Sequence, residues 1–288
     1  MFHPFYSELH SEKHLNKLIA IMTKTLKTMA AVAGVSLLST VASHAAVYSQ
    51  NFDSFPNGTT NLGDGTSINS ATPGNASVQG GQLRLTNDAI GSENGSFIIP
   101  AMPGASLGWT ASFDITIIDA AGENQPADGA SFNWGALTGS LSGNTQGAEH
   151  GWTNSDVQIN YQVDTWMNGA TDNGLRIATH LTGTENVLAA QQGSILNDGG
   201  AVTGTVILSW SPVNGASMST SDLVTNVNFA NVAVPGFTGN ESFLWAFAAR
   251  TGGADQTLLI DNLVITTVPE ASTSLLAGLG LMMVRRRK

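Results

Sequence analysis

Asp164, Asn168 and Asp172 recur at intervals of four residues, across the end of an alternating run and the polar loop that follows it. Carboxylate, amide and backbone carbonyl oxygens are what a hard cation such as calcium takes, about six to eight at a time. No basic residue enters this stretch before Arg176. Asp and Asn equally bond their own backbone in turns, so spacing alone leaves a metal loop and an ordinary loop both open. A second carboxylate, Asp128, precedes Gly129 and a run holding Phe132 and Trp134. An acid beside aromatic rings suits a sugar, whose hydroxyls bond the carboxylate while its apolar face stacks on a ring. Trp134 and Trp152 are the candidate rings. Asp128-Gly129 also reads as a turn entering a core strand.

Catalysis has weaker support. Glycoside cleavage needs two carboxylates at a set separation, and the nearest grouping, Glu149 and His150 ahead of Asp156, is interrupted by the loop-like residues 151–154. A serine hydrolase needs a positioned His and Asp, and the stretch 46–267 holds only His150 and His180. With no cysteine in the chain, a thiolate nucleophile, a thiolate metal site and a disulfide framework are all excluded. The expectation is a protein that binds rather than cleaves.

These residues must be held by strands. From 47 to 267 the chain alternates short apolar or period-two runs with clusters of Gly, Asn, Asp and Pro, the pattern of antiparallel strands and turns. Strands are predicted at 109–118, 130–137, 157–164, 175–180, 202–210, 223–229, 243–250 and 257–266. In the first of these Trp109, Ala111, Phe113, Ile115 and Ile117 alternate with polar residues, so one face is buried and the other wet. Two such sheets packed face to face give an all-β antiparallel sandwich of jelly-roll type. Arg250 is expected to pair with a buried acid such as Asp261, as a structural contact.

Charged residues are only 11% of the chain and its formal net charge is −10. Between 46 and 268 the only basic residues are Arg84, Arg176 and Arg250, against eighteen Asp and Glu. Nucleic acid is therefore not an expected partner, because phosphate neutralisation needs clustered Lys and Arg.

The ends carry different chemistry. Lys24 and Lys27, the apolar stretch 29–38 and the small residues Ser43 and Ala45 have the layout of a secretory signal peptide cut after Ala45. Met22 then reads as the true start. This gives a leader at 1–45, the sandwich at 46–267 and a tail at 268–288. Both flanking pieces are expected to contain a short apolar helix. In the tail, eleven apolar or small residues from 274 to 284 would make only ~17 Å of helix, short of the ~30 Å bilayer core.

Pro269-Glu270-Ala271, that short apolar run and Arg285-Arg286-Arg287-Lys288, in this order, resemble the PEP-CTERM sorting signal, with Ala271 in place of a second proline. The resemblance implies a bacterial protein exported across the membrane, held there transiently by its tail, and processed by an exosortase. Its destination would be the cell surface or the extracellular polymer matrix, with extracellular polysaccharide as the implied partner. The Ala127-Asp128-Gly129 turn before a Phe-containing strand, followed by Asp164-Thr165-Trp166-Met167-Asn168 and Asp172, resembles the legume-type (L-type) lectins and the concanavalin A-like sandwich. That resemblance implies sugar contacts at Asp128, Gly129 and Asn168, and calcium held by Asp164, Asn168, Asp172 and the Trp166 carbonyl. Gln162 stands where plant members have a Glu, so one metal at most is implied. The alternative reading is a structural matrix or envelope protein with no sugar site.

Overall fold

The computed structural model describes residues 16–17, 19–25, 44–71, 75–119, 126–137, 157–166, 173–181, 184–195 and 199–269. The chain divides into two units, Ala45–Pro269 and Met1–His44 with Glu270–Lys288. In the second unit residues 16–17 and 19–25 are helical. Among the described residues no helix is long and apolar enough to cross a membrane. The apolar stretch 29–38, Glu270, Arg285, Arg286 and Arg287 lie outside the described residues.

The first unit is a sandwich of two antiparallel sheets. Its strands are β1 Val47–Gln50, β2 Ser67–Ala71, β3 Ser77–Gln79, β4 Gln82–Thr86, β5 Asn94–Ile99, β6 Trp109–Ile118, β7 Gly129–Gly135 and β8 Val157–Asp164. They continue as β9 Gly174–Thr179, β10 Asn186–Gln192, β11 Ala201–Ser211, β12 Gly215–Ser221, β13 Asn228–Val232, β14 Leu244–Arg250 and β15 Thr257–Thr267. One sheet has eight strands in the order β13-β12-β11-β6-β15-β4-β3, with β1 also on β15; the other has seven, β10-β9-β8-β7-β14-β5-β2.

The alternation read in β6 is the alternation observed: Trp109, Ala111, Phe113, Ile115 and Ile117 are buried and the residues between them are more open. This row meets β7 and β14 of the opposite sheet, with Phe113 at 4.7 Å from Phe247 and Trp109 at 5.5 Å from Trp134 between ring centroids. Each large apolar side chain taken from water in this way contributes about 1.5–3 kcal/mol.

One strand expectation shifts. The run 223–229 does not form a strand as a unit: the chain turns after Asp222, at φ +63°, and the strand begins at Asn228. The Asn226 amide accepts from Leu223 N and donates to Leu223 O, closing a local loop. Leu223 and Val227 still reach the core, which is why the run looked strand-like.

Candidate functional site

Strand register brings the two singled-out segments together. Gly129 of β7 pairs with Asp164 of β8 on one side and with Arg250 of β14 on the other, and Asp164 in turn pairs with Gly174 of β9. Asp164 therefore sits between two glycines, with no side chain directly opposite it. Gly174, at φ +144°, is in a conformation that L side chains rarely adopt, and a Cβ there would lie 2.1 Å from the Gln191 carbonyl oxygen.

Asp128 stands one residue before this row. Its peptide bond to Ala127 is cis. Asp128 N donates to the Arg250 carbonyl at 2.7 Å, while the Asp128 carbonyl accepts from Thr165 N at 3.0 Å and Trp166 N at 3.2 Å. The backbone after β8 is thus fastened to the turn before β7. Trp166 N is shared with Asp164 Oδ1, at 3.1 Å. Thr165 Oγ1 donates to Gln256 Oε1 at 2.8 Å, tying the same corner to the start of β15.

Both acids carry an arginine. Arg176 Nη2 donates to Asp164 Oδ2 at 2.9 Å, with the Asp side chain 2% exposed. Arg250 Nε lies 3.2 Å from Asp128 Oδ2. The expected pairing of Arg250 with Asp261 is corrected here, since Asp261 Oδ1 accepts from Asn262 N at 2.7 Å at a bulge of β15. Asp128 Oδ1 makes no hydrogen bond among the described residues, and the side chain keeps 14% of its surface open. Burial pushes the Asp128 carboxyl above its usual range, and Arg250 pulls it back in part.

Trp134 is not a surface ring. It is fully buried, with ring contacts to Trp109, Trp210, Trp245, Phe237 and Phe243, so its role as a sugar-stacking platform is withdrawn. The reason is parity: Ala130, Phe132 and Trp134 share the core-facing side of β7, and the opposite side carries Ser131 and Asn133. Trp166, half-buried beside Asp128, is the described tryptophan nearest the site in bonding terms. Asn168, Asp172, Trp152, Glu149, His150 and Asp156 lie outside the described residues.

The sequence reading passed over a polar row on the outward face of the seven-stranded sheet. Asn160 Nδ2 donates to Asn133 Oδ1 at 2.7 Å, Asn133 Nδ2 to Ser131 Oγ at 2.9 Å, and Gln162 Nε2 to Glu185 Oε1. Ser131, Asn133, Asn160 and Gln162 are all buried, and among the described residues the side-chain oxygens of Asn160 and Gln162 have no partner. The signal was present: these residues alternate with Phe132, Trp134, Ile159 and Tyr161. Gly104-Ala105-Ser106-Leu107-Gly108 also spells the Gly-x-Ser-x-Gly pattern of serine hydrolases. Here it forms a 3-10 turn in which Glu241 accepts from Ser106 Oγ, Ser106 N and Gly104 N, so Ser106 is tied to a carboxylate rather than to a histidine.

Calcium was the implied cofactor. The donors at hand fit it poorly, because the Asp164 carboxylate already bonds a guanidinium and a backbone N–H. Among the described residues no three acids or histidines gather in a group able to hold a metal.

No family model and no curated protein matches the chain. Solved structures do. The carbohydrate recognition domain of Emp47p superposes with a TM-score of 0.58 at 14% identity, over 80% of this chain and 99% of that domain. The fold is the lectin sandwich. The winged bean acidic lectin, solved with methyl-α-D-galactose, gives 0.56 at 16% identity over 78% of this chain and all of the lectin. The exoplasmic domain of VIP36, solved with calcium and Man3GlcNAc, gives 0.51 at 13% identity over 72% and 86%. In this lectin sandwich the Asp128 corner lies where β7, β8 and β14 adjoin.

Proposed function

We propose that this chain is a non-catalytic carbohydrate-binding protein, with its sugar site at the Asp128-Gly129 corner. The observation that carries the reading is the Asp128 carboxylate: Arg250 Nε forms an ion pair with Oδ2 at 3.2 Å, while Oδ1 makes no hydrogen bond among the described residues and the side chain is partly open. A carboxylate fixed in place and short of one partner is what a sugar hydroxyl bonds. Gly252 leaves Oδ1 uncrowded, since a Cβ there would lie 3.0 Å from it. Gly129 offers backbone without a side chain beside it, and Asn168 is the proposed second contact. The lectin-sandwich fold of the Ala45–Pro269 unit supports the same reading.

The proposal extends to location. The leader ending at Ala45 directs export, and the tail from Pro269 and Glu270 to Arg285, Arg286 and Arg287 is a PEP-CTERM-like sorting signal cut by exosortase-type machinery. The domain then meets extracellular polysaccharide at the cell surface or in the matrix. Weak single sites would act together through many copies on one surface.

A glycan array probed with the parent and with Asp128→Asn tests the site. Retention of the parent on a discrete glycan set, lost in the variant at unchanged far-UV and near-UV circular dichroism, is the expected result. No glycan retained by either would leave the structural matrix reading.

A further inference from the structure

We infer that this domain carries its own cations at the corner where the resembled lectins are implied to hold calcium: Arg176 on Asp164, and Arg250 on Asp128. Asp164 faces Gly129 across one ladder and Gly174 across the other, so the space above its carboxylate is free of directly opposed side chains. Arg176 pairs with Gln162, two residues along the same face, and a diagonal neighbour on an adjacent strand is within reach of a long side chain. Its Nη2 meets Asp164 Oδ2 at 2.9 Å, and the pair is almost dry, 14% and 2% exposed.

A buried carboxylate needs a counter-charge or it is strongly disfavoured. Calcium would supply one from solvent, and Arg176 supplies one from the chain. The two are exclusive at one carboxylate oxygen, because a divalent ion brought beside a guanidinium in a dry site meets like charge. The second pair repeats the device across Gly129, with Arg250 at 3.2 Å from Asp128 Oδ2. The allocation is selective. Between 46 and 268 the chain has three basic residues for eighteen acids, and two of the three are placed on these two aspartates. The third, Arg84, is half-buried and donates to the Asn75 carbonyl at 3.2 Å, with its charge also acting on Glu93. Folding and any sugar binding at this corner are then independent of divalent metal. The sugar part of this statement rests on the proposed function, and the cation part does not.

Thermal unfolding of the full chain, in about 5 mM calcium chloride and in EDTA, tests the inference beside isothermal titration of the parent with calcium alone. The parent is expected to give the same Tm in both buffers and no calcium heat. Arg176→Gln is expected to unfold about 10 °C lower, with Arg176→Lys recovering part of the loss. A parent whose Tm rises in calcium and falls in EDTA overturns the inference, as does an Arg176→Gln protein as stable as the parent. Should Arg176→Gln fail to fold, the parent titration decides alone: heat from a calcium site rejects the idea and its absence upholds it. Neither readout contains a sugar, so a failed glycan array would reject the carbohydrate reading and leave this one standing.

Discussion

The two sheets treat their outward faces differently. On the eight-stranded sheet Thr110, Thr203 and Ile207 are exposed, and Ser112, Thr205 and Ser217 are half-buried. On the seven-stranded sheet the corresponding face of β7 and β8 is buried: Ser131, Asn133, Asn160 and Gln162 are at most 3% exposed, and beside them Arg176 and Arg250 are folded onto acids. Polar groups facing water satisfy themselves at little cost, whereas buried ones must find partners within the fold. The first face can tolerate substitution at little cost. The second is specified side chain by side chain, and the Asp128 corner lies at its edge.

The core beneath should answer most strongly. Trp134→Ala removes a fully buried ring from the aromatic cluster. It is expected to cost about 3–5 kcal/mol by denaturant titration, and any loss of sugar retention should track loss of fold. A variant that kept its stability and lost only retention would restore Trp134 to the site. The contrast between faces comes next. Asn133→Ala strands the Asn160 amide and the Ala246 carbonyl contact, for an expected loss of about 1–3 kcal/mol. Thr110→Ala on the exposed face should change stability by less than about 0.5 kcal/mol. Equal losses from the two would dissolve the distinction between the sheets.

Acid gives a smaller effect on the same sheet. Burial pulls the His180 imidazole down to about 4, from an ordinary value near 6.5. Its folded pKa lies below its unfolded one, so its contribution is full above about pH 6.5 and drains away as pH falls toward 4. Relative to His180→Gln, the parent should lose about 1–2 kcal/mol between pH 6.5 and 5. Parallel pH profiles for the two proteins would remove His180 from the account.

How much of this the sequence disclosed depended on pattern strength. The stretches 109–118 and 157–164 were readable to the residue, because long period-two runs leave one register for the buried face. β12, Gly-Ala-Ser-Met-Ser-Thr-Ser, was missed because it buries only Ala216 and Met218 fully and is otherwise polar. β10 was missed because Leu188, Ala189, Ala190, Gln191 and Gln192 favour helix, and only pairing with β9 makes them a strand. At the proposed site, Asp128, Gly129 and Asp164 stand out in the sequence as residues, and the ladder through Gly129 is what brings them together. Their arginines were not assignable, since the pairing of Arg250 with Asp128 depends on β14 lying beside β7. The burial of Trp134, by contrast, could have been read from its parity with Phe132.

A sugar site at Asp128 that works without added metal is tested most directly by titrating an array-selected glycan into the parent in EDTA. Saturable binding in EDTA, unchanged by calcium and lost in Asp128→Asn, is the predicted result. Binding that appears only when calcium is restored, or that survives Asp128→Asn intact, would contradict it.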